Sequence, residues 1–106
     1  MSFFYFFKTA DINEEIKKYE AAKGGVLLDV RTEEEYAGGR IPGSKNLALH
    51  RLSGISRLVP DKKTPLFVYC LSGARSRQAT AELSRMGYLS VTDLGGVSRY
   101  RGKLVN

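Results

Sequence analysis

Two runs of the chain are continuously apolar, "GVLLDV" (25–30) and "PLFVYC" (65–70), each opened by Gly or Pro. Continuous rather than alternating apolarity predicts strands covered on both faces, as in a parallel sheet between helices. Around these runs the period changes. In "ADINEEIKKYEAAKGG" (10–25), Ile12, Ile16 and Tyr19 fall on one helical face, with Asp11 as a cap and Gly24 as a stop. In "SRQATAELSRMG" (76–87), Ala79, Leu83 and Met86 recur at i, i+4 and i+7 before Gly87. Shorter segments fill the intervals: "FFYFF" (3–7) as a first edge strand, "EEEYAGG" (33–39) as a short helix, "KNLAL" (45–49) as a short strand, "LHRLSGISRLV" (49–59) as a helix before Pro60, and "SVTDL" (90–94) as a last strand. The resulting order, β-α-β-α-β-α-β-α-β, predicts an α/β fold with three layers, α/β/α.

Composition narrows the class. A length of 106 residues is that of one domain, so 1–106 is read as a single unit. With 42% apolar and 26% charged residues, the chain has none of the low hydrophobicity that prevents folding. No apolar stretch approaches the roughly 18 to 20 residues that span a bilayer. The opening "MSFFYFFKTAD" lacks a basic start and soon meets Lys8 and Asp11, unlike a secretory signal. A cytoplasmic protein with no membrane partner is therefore expected, and the single cysteine, which cannot form an intramolecular disulfide, agrees with a reducing compartment.

Charge adds a direction. Residues 1–35 hold five Lys and Arg against eight Asp and Glu, a balance of −3, and residues 36–106 hold twelve against three, +9. The basic part carries the cysteine. Such a field attracts small anions or an acidic protein, or is simply a solvated surface. Aromatic and basic residues are not interleaved in an RNA-binding pattern, so nucleic acid is not expected as a partner.

Ligands of open α/β sheets collect at the carboxyl ends of the strands. Asp29 and Arg31 end one apolar run, Cys70 ends the other, and Gly95 and Gly96 follow the last predicted strand. If the strands are parallel, all three groups share one edge. After Cys70 the segment "LSGAR" turns and a helix starts near Arg75 or Ser76, so the loop amides and the unpaired amides of the first helical turn converge on one point. Gly73 can adopt the positive φ that such a reversal needs. A thiol whose ordinary pKa is near 8.5 falls to roughly 3.5 to 7.5 at a helix N-terminus beside cations, which makes it a nucleophile. A lone cysteine ending a buried strand is more often a small hydrophobe. The Gly/Ser/Arg segment behind this one favours the nucleophile, because a structural cysteine needs no cradle. Arg77 reads as a solvated helix charge.

"LLDVRTEEEYAGGRIPGSKNL", "VYCLSGARS" and "LGGVSRYRG", in that order and spacing, resemble a single-domain rhodanese over roughly residues 9–102. The resemblance implies a five-stranded parallel sheet between helices. It also implies a cysteine, Cys70, that takes a sulfane sulfur from a donor as a persulfide and passes it to an acceptor. Leu71, Ser72, Gly73, Ala74, Arg75 and the Ser76 amide would form the substrate cradle, with Arg75 facing the anion. Asp29 and Arg31 match the family's Asp-x-Arg strand end, in a supporting role; a scaffold ion pair with Glu34 or Glu35 is the favoured reading of that pair. Arg40 stands where the family commonly has histidine, read as a local packing change, and Tyr100 where tryptophan is common, read as a smaller aromatic plug. His50 receives no role.

The expected activity is sulfur transfer between a small anionic donor, thiosulfate or a low-molecular-weight or protein persulfide, and a thiol or cyanide-like acceptor. A sulfur-relay protein is a further candidate partner. No cofactor is required, no Cys/His cluster is present to hold a metal, and a monomer is expected. Two alternatives belong to other classes. A cysteine-based phosphatase or arsenate reductase on the same fold would have five residues between cysteine and arginine, and here four lie between Cys70 and Arg75. A non-catalytic docking module would more often have lost the cysteine.

Overall fold

The computed structural model describes residues 11–106. Four strands, β1 (Val26–Asp29), β2 (Lys45–Asn46), β3 (Leu66–Cys70) and β4 (Val91–Gly96), form one sheet in the order β2-β1-β3-β4, and every pairing is parallel. The described sheet thus has four strands where five were expected. The edge strand expected at 3–7 lies outside the described residues.

The helices follow the periodicity of the sequence. α1 (Ile12–Ala21) starts at Asp11, whose side chain accepts from the Asn13 amide, and buries Ile12 and Ile16. It ends at Ala21, three residues before Gly24. α2 (Glu33–Ala37) is only five residues long but has a full capping box: Thr32 Oγ1 accepts from the Glu35 amide, and the Glu35 carboxylate accepts from the Thr32 amide. A 3₁₀ helix, Leu49–Gly54, leads into α3 (Ile55–Leu58). α4 (Ala74–Arg85) begins directly after Gly73 and buries Ala79 and Leu83.

Alternation along the central strands divides the core into two halves. Leu28, Leu66, Val68 and Cys70 face Leu52, Ile55, Ala79 and Leu83 on one side. Leu27, Phe67, Tyr69 and Leu94 face Ile12 and Ile16 on the other. Each fully buried Leu or Ile contributes about 1.5 to 3 kcal/mol by leaving water, so the sheet faces dominate stability. Cys70 therefore points toward α4, the helix that follows it.

The chain leaves β1 for β2 on one side and returns for β3 on the other, so the carboxyl ends of β1 and β3 flank the point where the winding reverses. Asp29 and Cys70 are the last residues of those two strands. β4 extends past its predicted end to Gly96, which lies opposite Cys70, with a register shift beside Val68 and Tyr69. No described helix is long and apolar enough to cross a membrane.

Candidate active site

Cys70 is 1% exposed, and its sulfur accepts two main-chain hydrogen bonds, from the Gly73 amide at 3.0 Å and the Ser76 amide at 3.3 Å. The turn that delivers them depends on Gly73 at φ +111°, where any side chain would be strained. The first helical hydrogen bond of α4 runs from the Arg77 amide to the Gly73 carbonyl, which leaves the Ser76 amide free for the sulfur. Ser76 itself is fully buried, and its hydroxyl donates back to the Gly73 carbonyl at 3.1 Å, fixing the turn from inside.

Of the remaining loop residues, Leu71, Ser72 and Ala74 lie on the exposed side. The Leu71 carbonyl accepts from the Ser98 amide at 3.0 Å, which ties the loop to the turn after β4. Gly96 makes that approach feasible: a Cβ there would lie 2.5 Å from the Leu71 carbonyl oxygen. The two glycines that end β4 are thus the floor on which the cysteine loop rests.

Arg75 is engaged by an acid. Its two terminal nitrogens donate to the two carboxylate oxygens of Glu35 at 2.7 and 2.9 Å, a bidentate pair. The Arg75 hydrogen bonds hold the Glu35 carboxyl at about 2, against the opposing pull of burial and with further help from the Thr32 amide and hydroxyl. The same hydrogen bonds raise the Arg75 pKa, and the charges of Glu35, Cys70 and Asp29 add to the effect.

Asp29 and Arg31 form a pair of their own, and the expected partnership with Glu34 or Glu35 is corrected here. Asp29 is fully buried and Arg31 is 5% exposed. The Arg31 Nε lies 3.1 Å from both Asp29 oxygens, its Nη2 2.7 Å from Oδ2, and the Arg31 amide 2.9 Å from Oδ1. The second bond of Nη2, 2.7 Å to the Gly39 carbonyl, extends the pair to the end of α2. Burial works against the guanidinium charge, but the hydrogen bonds and charge of Asp29 outweigh it and leave the pKa of Arg31 raised. Asp29 occupies the Arg31 guanidinium, which leaves Glu35 to pair with Arg75.

The other singled-out residues fall around this centre. Arg40 stacks over Tyr36, 4.6 Å from the ring centroid, and its backbone bridges Val105. Tyr100 is half-buried against the α1 half of the core. Arg77 is exposed. His50 is exposed on the 3₁₀ helix and lines two neighbouring clefts. The first of these, about 510 Å³, is also lined by Arg75, Gln78, Glu82, Thr32 and Leu49. Sequence reasoning missed Glu35 as the partner of Arg75 and Glu82 as part of the cleft. The capping pattern Thr32-x-x-Glu35 was a signal that Glu35 is held in place, but nothing local names the distant arginine. Among the described residues no cluster of His, Cys, Asp and Glu could hold a metal ion.

Comparison with known proteins places this arrangement. The chain is 39% identical over 71 residues to the thiosulfate sulfurtransferase PspE of Escherichia coli strain K12, covering 66% of this chain and 68% of that protein. It is 36% identical over 74 residues to the thiosulfate sulfurtransferase GlpE of Pseudomonas fluorescens, covering 70% and 67% respectively. The solved structure of a rhodanese with anions from E. coli superposes with a TM-score of 0.72 at 35% identity, over 77% of this chain and 98% of that one. The model of the Rhodanese-like domain matches residues 10–103, all but the ends of the sequence, and the chain belongs to that family.

Proposed function

We propose that this chain, acting as one domain, is a sulfurtransferase that carries a sulfane sulfur as a persulfide on Cys70. The observation that carries this reading is the pair of amide hydrogen bonds on the Cys70 sulfur. Two oriented main-chain dipoles at the start of a twelve-residue helix stabilise negative charge on that atom, which a buried structural thiol would not need. The kinship with two thiosulfate sulfurtransferases at 36 to 39% identity supports the same activity.

In the first half-reaction the Cys70 thiolate attacks the outer sulfur of the donor. A sulfur–sulfur bond forms at Cys70, the donor's bond to that sulfur breaks, and the electron pair leaves with sulfite from thiosulfate or with a thiolate from a persulfide. In the second half-reaction a nucleophilic acceptor attacks the outer sulfur of the Cys70 persulfide and the thiolate is restored. With cyanide the product is thiocyanate. The residues from Leu71 to Ser76 form the cradle, and the leaving anion and the persulfide are both negative, so one set of amides serves both steps. Asp29 and Arg31 hold the end of β1 beside the loop rather than touching the reacting sulfur.

Steady-state formation of thiocyanate from thiosulfate and cyanide tests the reading. The wild type is expected to turn over and Cys70→Ser to be silent. Turnover that persists in Cys70→Ser rules the relay out.

A further inference from the structure

The loop's own cation is already neutralised. Both hydrogen bonds that the Arg75 side chain makes among the described residues go to Glu35, one to each carboxylate oxygen. Glu35 is itself immobilised, since Oε1 also accepts from the Thr32 amide at 2.9 Å and hydroxyl at 3.1 Å. A rotation of Glu35 away from Arg75 would therefore break the cap of α2 as well. A second carboxylate, Glu82, lines the same cleft as Arg75. Around Arg75 one cation thus stands against two acids, Glu35 paired with it and Glu82 lining its cleft, although residues 36–106 as a whole are strongly basic.

We infer that Glu35 is a specificity-determining residue that biases this site away from dianionic sulfur donors such as thiosulfate and toward organic persulfides. The inference rests on the sulfurtransferase reading above and refines it. A thiosulfate dianion brings two negative charges to a mouth whose arginine is paired and whose other charged group is an acid. A persulfide, R–S–SH, brings at most one negative charge on its sulfurs. The persulfide also has an R group to place, and the cleft of about 510 Å³ beside Arg75 offers mixed apolar and polar walls, Leu49, His50 and Gln78 among them. Thiosulfate has nothing to put there. With this donor the Cys70 thiolate displaces R–S⁻ from R–S–SH and keeps the outer sulfur, with its proton, as a persulfide.

Glu35 acts through Arg75, so the test reads donor choice rather than activity alone. Single-turnover loading of Cys70 is followed by intact mass, with thiosulfate and with 2-hydroxyethyl persulfide as donors. The wild type is expected to load faster from the persulfide. Glu35→Gln retains a side chain that can complete the capping box and frees the Arg75 charge. It is expected to raise the thiosulfate-to-persulfide rate ratio about fivefold, the size of a partly exposed charge pair. The double variant E35Q/R75Q makes the pair neutral again and is expected to return the ratio to the wild-type value, whether or not the single variant folds. A ratio unchanged within twofold in Glu35→Gln, or a selective loss of thiosulfate loading in E35Q/R75Q, overturns the inference while leaving sulfur transfer intact. Failure of the wild type to load from either donor defeats the sulfurtransferase reading and this inference with it.

Discussion

Gly96 passes beneath Ser72 so closely that a Cβ on the glycine would lie 2.7 Å from both the Cα and the carbonyl carbon of Ser72. Backbone stands on backbone there, because Gly96 is also the residue paired opposite Cys70 in the sheet. Gly96→Ala cannot be absorbed by a rotamer change. The loop must lift, moving the Gly73 and Ser76 amides from the sulfur. Overpacking of this kind costs about 1 to 3 kcal/mol, and thiocyanate formation is expected to fall more than about tenfold. Thermal melting and turnover on one preparation check both. An alanine variant with wild-type turnover would show that the loop does not depend on this floor.

The Asp29–Arg31 pair predicts an asymmetry between single and double substitution. Removing one partner leaves a buried charge uncompensated, so Arg31→Leu is expected to cost about 3 to 5 kcal/mol. Replacing both with leucine removes the desolvated charges together and is expected to cost less than the single change. Denaturant midpoints for the two variants decide the matter; a double variant weaker than Arg31→Leu contradicts it.

Acid should loosen the tie between α2 and α4. The Glu35 carboxyl titrates at about 2 in the folded chain against an ordinary 4.5. A depressed carboxylate pKa contributes stability that is complete above about pH 4.5 and is lost as the pH falls through about 2. The side chains of Arg75 and Glu35 are 34% and 28% exposed, so solvent screening limits this contribution to about 1 kcal/mol. Circular dichroism during urea unfolding between pH 5 and pH 2 should show the loss in the wild type. Glu35→Gln should flatten that part of the curve, and an identical slope in both proteins would contradict the assignment.

The alkaline limb has a different origin. Burial pushes the Tyr69 phenol up to about 12, although its bonds to Ser44 and the Ile41 amide pull the other way. A raised folded pKa contributes stability below the ordinary value of 10.0 that is lost as the pH rises through about 12. Tyr69→Phe removes the phenol oxygen that accepts from the Ile41 amide at 3.2 Å and donates to Ser44 Oγ at 3.2 Å. It is expected to cost about 1 to 3 kcal/mol at neutral pH, by leaving the buried amide unpaired. The variant should also lack the decline between pH 10 and pH 12 that the wild type shows by the same unfolding measurement.

Much of the architecture was legible in the chain because the relevant forces are local. Continuous apolarity marked β1 and β3, the i, i+4 spacing of Ala79 and Leu83 marked α4, and Gly73 marked the turn after Cys70. What escaped the sequence depends on partners distant along the chain or on choices between near neighbours. Glu33, Glu34 and Glu35 stand side by side, and only the orientation of α2 aims the third at an arginine forty residues away. The chain places Glu34 and Glu35 within reach of Arg31, but two residues at the end of a strand can close on each other, and the cost of burying either charge alone makes the Asp29–Arg31 closure favourable. Glycine within a strand weakens its sequence signal, so the last strand reads as 90–94, whereas Gly95 and Gly96 continue the ladder opposite Tyr69 and Cys70.

The central claim is that Cys70 holds a sulfur atom between donor and acceptor, and intact-mass measurement tests it most directly. After incubation with a sulfur donor and removal of the excess, the wild-type chain should have gained one sulfur atom, mapped by peptide analysis to Cys70, and should return to its original mass on addition of cyanide. A protein that turns over yet never gains that sulfur, or gains it elsewhere than Cys70, would contradict the account.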